Sequence, residues 1–229
     1  PWQGPGPIVC PILLYHRIAE PPFPNDYYVT PAAFREQMQA LNDWGYTAIP
    51  ISLLVSAITE GARLPEKPVV ITFDDGDITV YTTAFPILRQ FGFVGVNYLV
   101  ANRLGVEGYM NVSQLQELAA AGWEVGSHSM THADLRTSPD LDREIRQSRL
   151  VLEAALGVPV ETFAYPYGLG NDNESIVARV RANYTAALGL GPYLEQNFDR
   201  LYYLARRPVL YGWDLERFAY FLPWSVPAP

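Results

Sequence analysis

Short apolar runs alternate with amphipathic stretches along almost the whole chain, and each change of period marks a change of element. The run IVCPILLYH opens the pattern at Ile8. Pro11 has no N–H to give a ladder, so the first half of that strand is doubtful. After a loop rich in prolines and aromatics, PPFPNDYY, Thr30 and Pro31 predict an N-cap and a first helical residue. Phe34, Met38, Leu41 and, less regularly, Trp44 then share one face, and Gly45 stops the helix. YTAIP predicts a short strand, Ser52 to Glu60 a helix ended by Gly61, PVVITFD a strand, and Thr79 to Gln90 a helix ended by Gly92. VGVNYLV is the next strand, and Ser113 with Gln116 three residues on predicts a capping box. There follow a strand WEVGSH, a helix from Asp140 to Leu156 closed by Gly157, a strand VETFAYP, a helix from Glu174 to Ala182 and a strand YTAALG. Val209 to Tyr211 and Asp214 to Phe221 predict a last strand and helix.

Seven or so strands, each followed by a helix, predict an α/β fold with a parallel sheet, either open or closed into a barrel. No linker interrupts the middle and no internal repeat is visible, so residues 8–229 form one expected domain behind a tail or linker, PWQGPGP, at residues 1–7. In such folds the chemistry gathers on the loops that leave the strand ends.

Composition narrows the function. The chain has 229 residues, 49% of them hydrophobic and 17% charged, which excludes disorder. Sixteen Lys and Arg against 24 Asp and Glu give a net charge of -8, which disfavours nucleic acid or anionic lipid as a partner. Cys10 is the single cysteine, so no intrachain disulfide can form, and in IVCPILLY it fits a small strand hydrophobe. No apolar run approaches the roughly 18 residues of a membrane span. The chain begins with Pro1 rather than Met, so an export signal or anchor that has been removed is compatible with it.

The chemistry starts at ITFDDGD, Ile71 to Asp77. Asp74 and Asp75 are adjacent carboxylates at a strand end, and leaving both ionised costs free energy unless a cation or a shared proton offsets it. His128 and His132, in SHSMTH, follow directly on the strand WEVGS. Two imidazoles four residues apart can converge on one ion, and one carboxylate completes a 2-His-1-Asp site with open positions. His16 ends the first strand, in LLYHRI, on the same predicted face. Each feature alone has a plainer explanation: a hydrogen-bonded structural histidine, an Asx turn at DDG, a helix entrance at HSMTH. Their joint occurrence favours the metal site. FAYPYG, Phe163 to Gly168, is a further strand end where the Tyr167 N–H could donate to a developing oxyanion.

TFDDG, then HSMTH, then FAYPYG, in that order, resembles the polysaccharide deacetylases of the NodB type, carbohydrate esterase family 4, over about Ile8 to Phe221. The resemblance implies an irregular (β/α) barrel of about seven parallel strands and hydrolysis of N-acetyl groups on GlcNAc or MurNAc units, or of O-acetyl groups on xylan. It implies Asp74 as general base, and Asp75, His128 and His132 as ligands of one divalent metal, zinc in the first place with cobalt or nickel as substitutes. It implies the Tyr167 N–H as an oxyanion donor. The family's common late acid histidine is absent, since nothing after His132 is histidine. LLYHRI instead matches the Tyr-His-x-Ile stretch of the subgroup that deacetylates poly-N-acetylglucosamine in biofilms, which gives His16 the role of acid. Ala164 stands where many members carry an arginine beside the base. YLARRPV offers Arg206 as its replacement, with Arg207 as neighbour and rival. Asp77 replaces an aromatic residue frequent after DDG. The same resemblance implies an acetylated polysaccharide as partner, export to the extracellular space or cell surface, possible peripheral membrane association and a monomer.

Three other readings compete. A non-haem iron oxygenase also uses two histidines and a carboxylate, but mostly on a β-sandwich with His-x-Asp spacing. A non-catalytic sugar-binding relative would need neither base nor acid. Hydrolysis of a small cyclic amide would call for a closed pocket rather than a groove.

Overall fold

Seven parallel strands follow one another around a closed barrel in chain order. In the computed structural model, which describes residues 5–225, they are β1 (Ile12–Tyr15), β2 (Pro68–Asp75), β3 (Val96–Leu99), β4 (Glu124–Ser127), β5 (Thr162–Ala164), β6 (Ala186–Leu190) and β7 (Leu204–Pro208). β1 closes the barrel by pairing with β7 on one side and β2 on the other. The closure is uneven, because β1 and β2 share four register pairs whereas β4 and β5 share only Ser127 with Phe163. Helices α1 (Pro31–Asp43), α2 (Ile51–Thr59), α3 (Phe85–Gln90), α4 (Val112–Ala120), α5 (Ser148–Leu156), α6 (Glu174–Asn183) and α7 (Leu215–Tyr220) complete the α/β architecture. No helix of the described residues is long and apolar enough to cross a membrane.

The period of two along each strand divides the core into two layers. Ile12, Val70, Val96, Tyr98, Ala164, Leu188 and Leu204 form one cluster. The alternate residues, such as Tyr15, Phe73, Val125 and Phe163, pack in a second cluster with residues of the helices. There Phe73 stacks on Trp123 and Phe85 meets Trp123 edge-on, with ring centroids 5.6 and 5.8 Å apart. Thr72 and Asp74 share the phase of Val70, and Arg206 that of Leu204. Asp74 and Arg206 thus bring charge into the first layer toward the C-terminal ends of β2 and β7, and Glu124, in register with Val96, does so at the N-terminal end of β4.

Four expectations shift. The first strand breaks at Cys10 and Pro11: Ile8–Val9 pairs antiparallel with Glu195–Gln196 outside the barrel, and only Ile12–Tyr15 is a stave. YTAIP also lies outside the ring, with Thr47–Ala48 added at the edge of β2. The last strand is Leu204–Pro208 rather than 209–211, because the inward Arg206 and the proline disguise it as a polar segment. Val209 extends it only by donating its N–H to Leu14 O at 2.9 Å. The capping box of α4 sits two residues early. The Gln114 N–H donates to Asn111 Oδ1 at 3.0 Å and the Asn111 N–H donates to Gln114 Oε1 at 2.9 Å, while the Ser113 hydroxyl merely donates to Asn111 Oδ1 at 2.8 Å. Asn111–Gln114 and Ser113–Gln116 have the same spacing, and Asn is at least as good an N-cap as Ser. Of the tail PWQGPGP, the first four residues lie outside the described part of the chain.

Candidate active site

Asp74 is 2% exposed and Arg206 1% exposed, and they meet as a two-pronged pair. Arg206 Nη1 and Nη2 donate to Asp74 Oδ1 and Oδ2 at 2.6 and 2.9 Å. Arg206 Nε donates to Gly189 O at 3.3 Å, and its guanidinium lies 5.4 Å from the centre of the Tyr98 ring. Burial pushes the Asp74 carboxyl up, but the Arg206 charge, His128, the Arg206 hydrogen bonds and His16 together outweigh it and bring the group down to about 2. Asp74 is thus a carboxylate at every physiological pH. The choice between the two arginines is resolved by strand phase: Arg207 faces away, 4.3 Å from the Phe221 ring centre, and donates to Pro192 O at 2.9 Å.

Beside this pair, Asp75, His128 and His132 each offer one ligand atom, and these atoms lie within 4.8 Å of one another. The strand end of β4 delivers His128, whose Nδ1–H donates to Ala164 O at 2.8 Å. A carbonyl only accepts, so this bond fixes the tautomer and leaves Nε2 with its lone pair free for an ion. Burial, opposed by Asp74, holds His128 down to about 4, and burial also lowers His132, so both imidazoles are neutral at pH 7. Arg103 Nη1 donates to Asp75 Oδ1 at 3.1 Å, and His132 Nε2 lies 3.6 Å from the same oxygen. A neutral imidazole pair and one carboxylate are a donor set suited to a divalent transition metal.

The backbone is bent to reach this arrangement. Among the described residues, Asp75, Ser129, His132 and Tyr167 are the only non-glycine residues with positive φ, at 72°, 68°, 65° and 60°. Such positions cost on the order of 1 kcal/mol or more each and persist where surrounding contacts over-determine them. All four are at the candidate site or next to its ligands. The His132 N–H donates to Ser129 Oγ at 2.9 Å, and the His132 ring meets the ring of half-exposed Tyr167 edge-on at 4.5 Å.

His16 follows β1 and senses Asp74, Asp75, Arg206 and His132 electrostatically. Burial lowers its pKa against the opposing pull of the two aspartates, so the ring is neutral at rest. Asp77, without a role on sequence grounds, latches this strand end to the DDGD turn. Its Oδ2 accepts from Arg17 Nε at 2.8 Å, and its Oδ1 accepts from the Thr79 N–H and hydroxyl at 2.9 and 2.7 Å. Thr79 Oγ1 in turn accepts from the Ile18 N–H at 3.0 Å. Exposed Tyr27 of the aromatic loop stands edge-on to the His16 ring, with its centroid 4.9 Å away.

The structure therefore gathers Asp74, Asp75, His128, His132, His16, Arg206 and Tyr167 at one mouth. Sequence reasoning missed Arg103, Arg17 and Glu144, which grip Asp75, Asp77 and Thr131 respectively. Arg103 was within reach of the strand-end rule, since it follows β3 closely. Glu144 left another trace: with Ser148 it is a polar residue on the otherwise apolar stripe Ile145, Leu152, Leu156.

The chain is similar to known proteins in both sequence and fold. A family model described as polysaccharide deacetylase matches residues 61–187. A poly-beta-1,6-N-acetyl-D-glucosamine N-deacetylase of Staphylococcus epidermidis is 28% identical over 191 residues, covering 71% of this chain and 66% of that protein. The crystal structure of a polysaccharide deacetylase from Bacillus cereus superposes with a TM-score of 0.82 at 28% identity, covering 93% of this chain and 68% of that one. The Streptococcus pyogenes deacetylase PplD in complex with acetate gives a TM-score of 0.85 at 27% identity, covering 94% of this chain and 99% of that one.

Proposed function

The chain belongs to the polysaccharide deacetylase family and is an enzyme of that family, and from this premise we propose that it is a metal-dependent de-N-acetylase of a GlcNAc-containing polysaccharide, with poly-β-1,6-N-acetylglucosamine as first substrate. The observation that carries the proposal is the convergence of Asp75, His128 and His132 beside an Asp74 held ionised by Arg206. Asp75, His128 and His132 would hold one divalent ion, zinc by preference. When bound, that ion supplies Lewis acidity, polarising an acetamide carbonyl and lowering the pKa of a water by roughly 9 units.

The protein's own groups do the rest. A carboxylate with a pKa of about 2 is a weak base toward ordinary water, so Asp74 can accept a proton only from an acidified one. Arg206 keeps both Asp74 oxygens aimed and the group ionised between turnovers. The Tyr167 N–H donates to the oxyanion that forms as water adds to the acetamide carbon. His16 is neutral at rest, so the proton it gives is the one that Asp74 takes from the attacking water and, with a pKa of about 2, holds only weakly; His16 receives that proton and passes it to the leaving amine. Acetate and a free amine result. The presence of His16 in LLYHRI, and of no histidine after His132, supports the poly-N-acetylglucosamine subgroup over enzymes for chitin, peptidoglycan or xylan. Such a substrate lies outside the cell, which supports an exported or surface-attached protein.

Acetate release from an oligomer of poly-β-1,6-N-acetylglucosamine, using chelated and zinc-restored protein side by side, tests the reading. Acetate that appears only with metal is the expected result. Metal-loaded protein that releases none from this oligomer, but does so from chitin, peptidoglycan or xylan fragments, would overturn the substrate; none from any of them would overturn the reaction.

A further inference from the structure

We propose that Glu144 is a positioning residue for the metal site, setting the chain between His128 and His132 through Thr131; the proposal rests on reading Asp75, His128 and His132 as metal ligands. Glu144 is 4% exposed, and among the described residues it forms no ion pair. A carboxylate in that position is costly unless hydrogen bonds compensate it. Both of its oxygens are given to one residue: Oε2 accepts from the Thr131 N–H at 2.9 Å and Oε1 from the Thr131 hydroxyl at 2.8 Å. Thr131 immediately precedes His132.

The segment held in this way needs holding. Ser129 and His132 both have positive φ, so the loop relaxes unless its contacts over-determine it. From within, Ser129 Oγ accepts from the His132 N–H at 2.9 Å. From outside, Glu144 grips Thr131. The same helical turn also reaches the other ligand. Ser148 Oγ lies 2.9 Å from Ser127 Oγ, directly before His128, and donates to Glu144 O at 2.7 Å. The residue preceding each histidine ligand is therefore fastened to positions 144–148. This stretch begins in a wide π-helical turn, Arg143–Gln147, before α5, and such turns are frequent at functional sites.

The test is cobalt(II) binding to metal-stripped protein, read by chelator competition and by the visible d–d band, for wild type, Glu144→Ala, Glu144→Gln and Thr131→Val. The wild type is expected to bind one equivalent. Glu144→Ala and Thr131→Val should bind roughly 10- to 100-fold more weakly, the usual effect of losing a group that orients a ligand, with a changed d–d band. Glu144→Gln should restore affinity, because its amide can still accept from the Thr131 N–H and donate to the hydroxyl. Folded Glu144→Ala and Thr131→Val that bind within twofold of wild type with an unchanged band would overturn the role of Glu144. If Glu144→Ala fails to fold, Thr131→Val alone decides. A wild type that binds no cobalt would instead overturn the metal site itself.

Discussion

Asp74 shows how much one side chain can depend on a partner 132 residues away. Buried carboxyls normally gain protons, and here Arg206 reverses the sign. Arg206→Lys replaces a planar fork by a point charge, and Arg206→Met removes the charge altogether. We expect the Asp74 pKa to rise in both, more in Met, so that the acid limb of the kcat/KM profile moves to higher pH. Turnover should fall by about 10²-fold or more in Arg206→Met, in line with losing a positioned electrostatic group. An unmoved acid limb in folded Arg206→Met would show that Asp74 is not the titrating base. At this scale the paired aspartates and the three histidines were legible because they are rare residue types placed at strand ends. Arg206 was legible only as one of two candidates. Its phase with Leu204 decides between them, and that phase is invisible until the strand is placed at Leu204–Pro208. Arg103, just past a strand end, and Glu144, on an apolar stripe, each left a positional trace, but partners distant in sequence leave no spacing from which their roles could be read.

Among the elements, β4 is one that its neighbours constrain tightly. A Cβ on Gly126 would come within 2.3 Å of the Tyr98 ring and 2.9 Å of Thr162 O. The glycine lets Tyr98 cross over β4, where its hydroxyl and Thr162 Oγ1 stand 3.1 Å apart and its ring faces the Arg206 guanidinium. Gly126→Ala should destabilise the fold by about 1–3 kcal/mol, the usual range for overpacking, as measured by denaturant midpoint. It should also lower turnover in the fraction that remains folded, by pushing Tyr98 toward Arg206. Wild-type stability in this variant would mean that the wall yields at no cost. Most strands and helices were legible from periodicity and glycine stops. The misplacements occurred where two residues satisfied one rule, as at Asn111 and Ser113, or where a buried charge broke an apolar run, as in β7.

At the scale of the molecule, the site makes folding sensitive to acid. His128 is held near 4 against an ordinary 6.5, and His16 and His132 are also lowered, so the unfolded chain binds their protons more readily than the folded one. That stabilisation is fully present above about pH 6.5 and is lost as pH falls toward 4. Asp74, lowered from 3.8 to about 2, adds a contribution present above 3.8 and lost toward 2. At about 1.4 kcal/mol per pKa unit, His128 alone amounts to a few kcal/mol. The Tm of metal-free protein should therefore fall steadily from pH 6.5 to pH 4 and further below it. A Tm constant across that range would contradict neutral, buried imidazoles in the fold.

The single register pair between β4 and β5 gives the barrel a seam, and His128 closes it by donating across to Ala164 O. The imidazole is thus a stitch in the wall as well as an arm of the site. Holding the wall and offering Nε2 to an ion therefore rest on one ring, so the seam and the site share a single side chain.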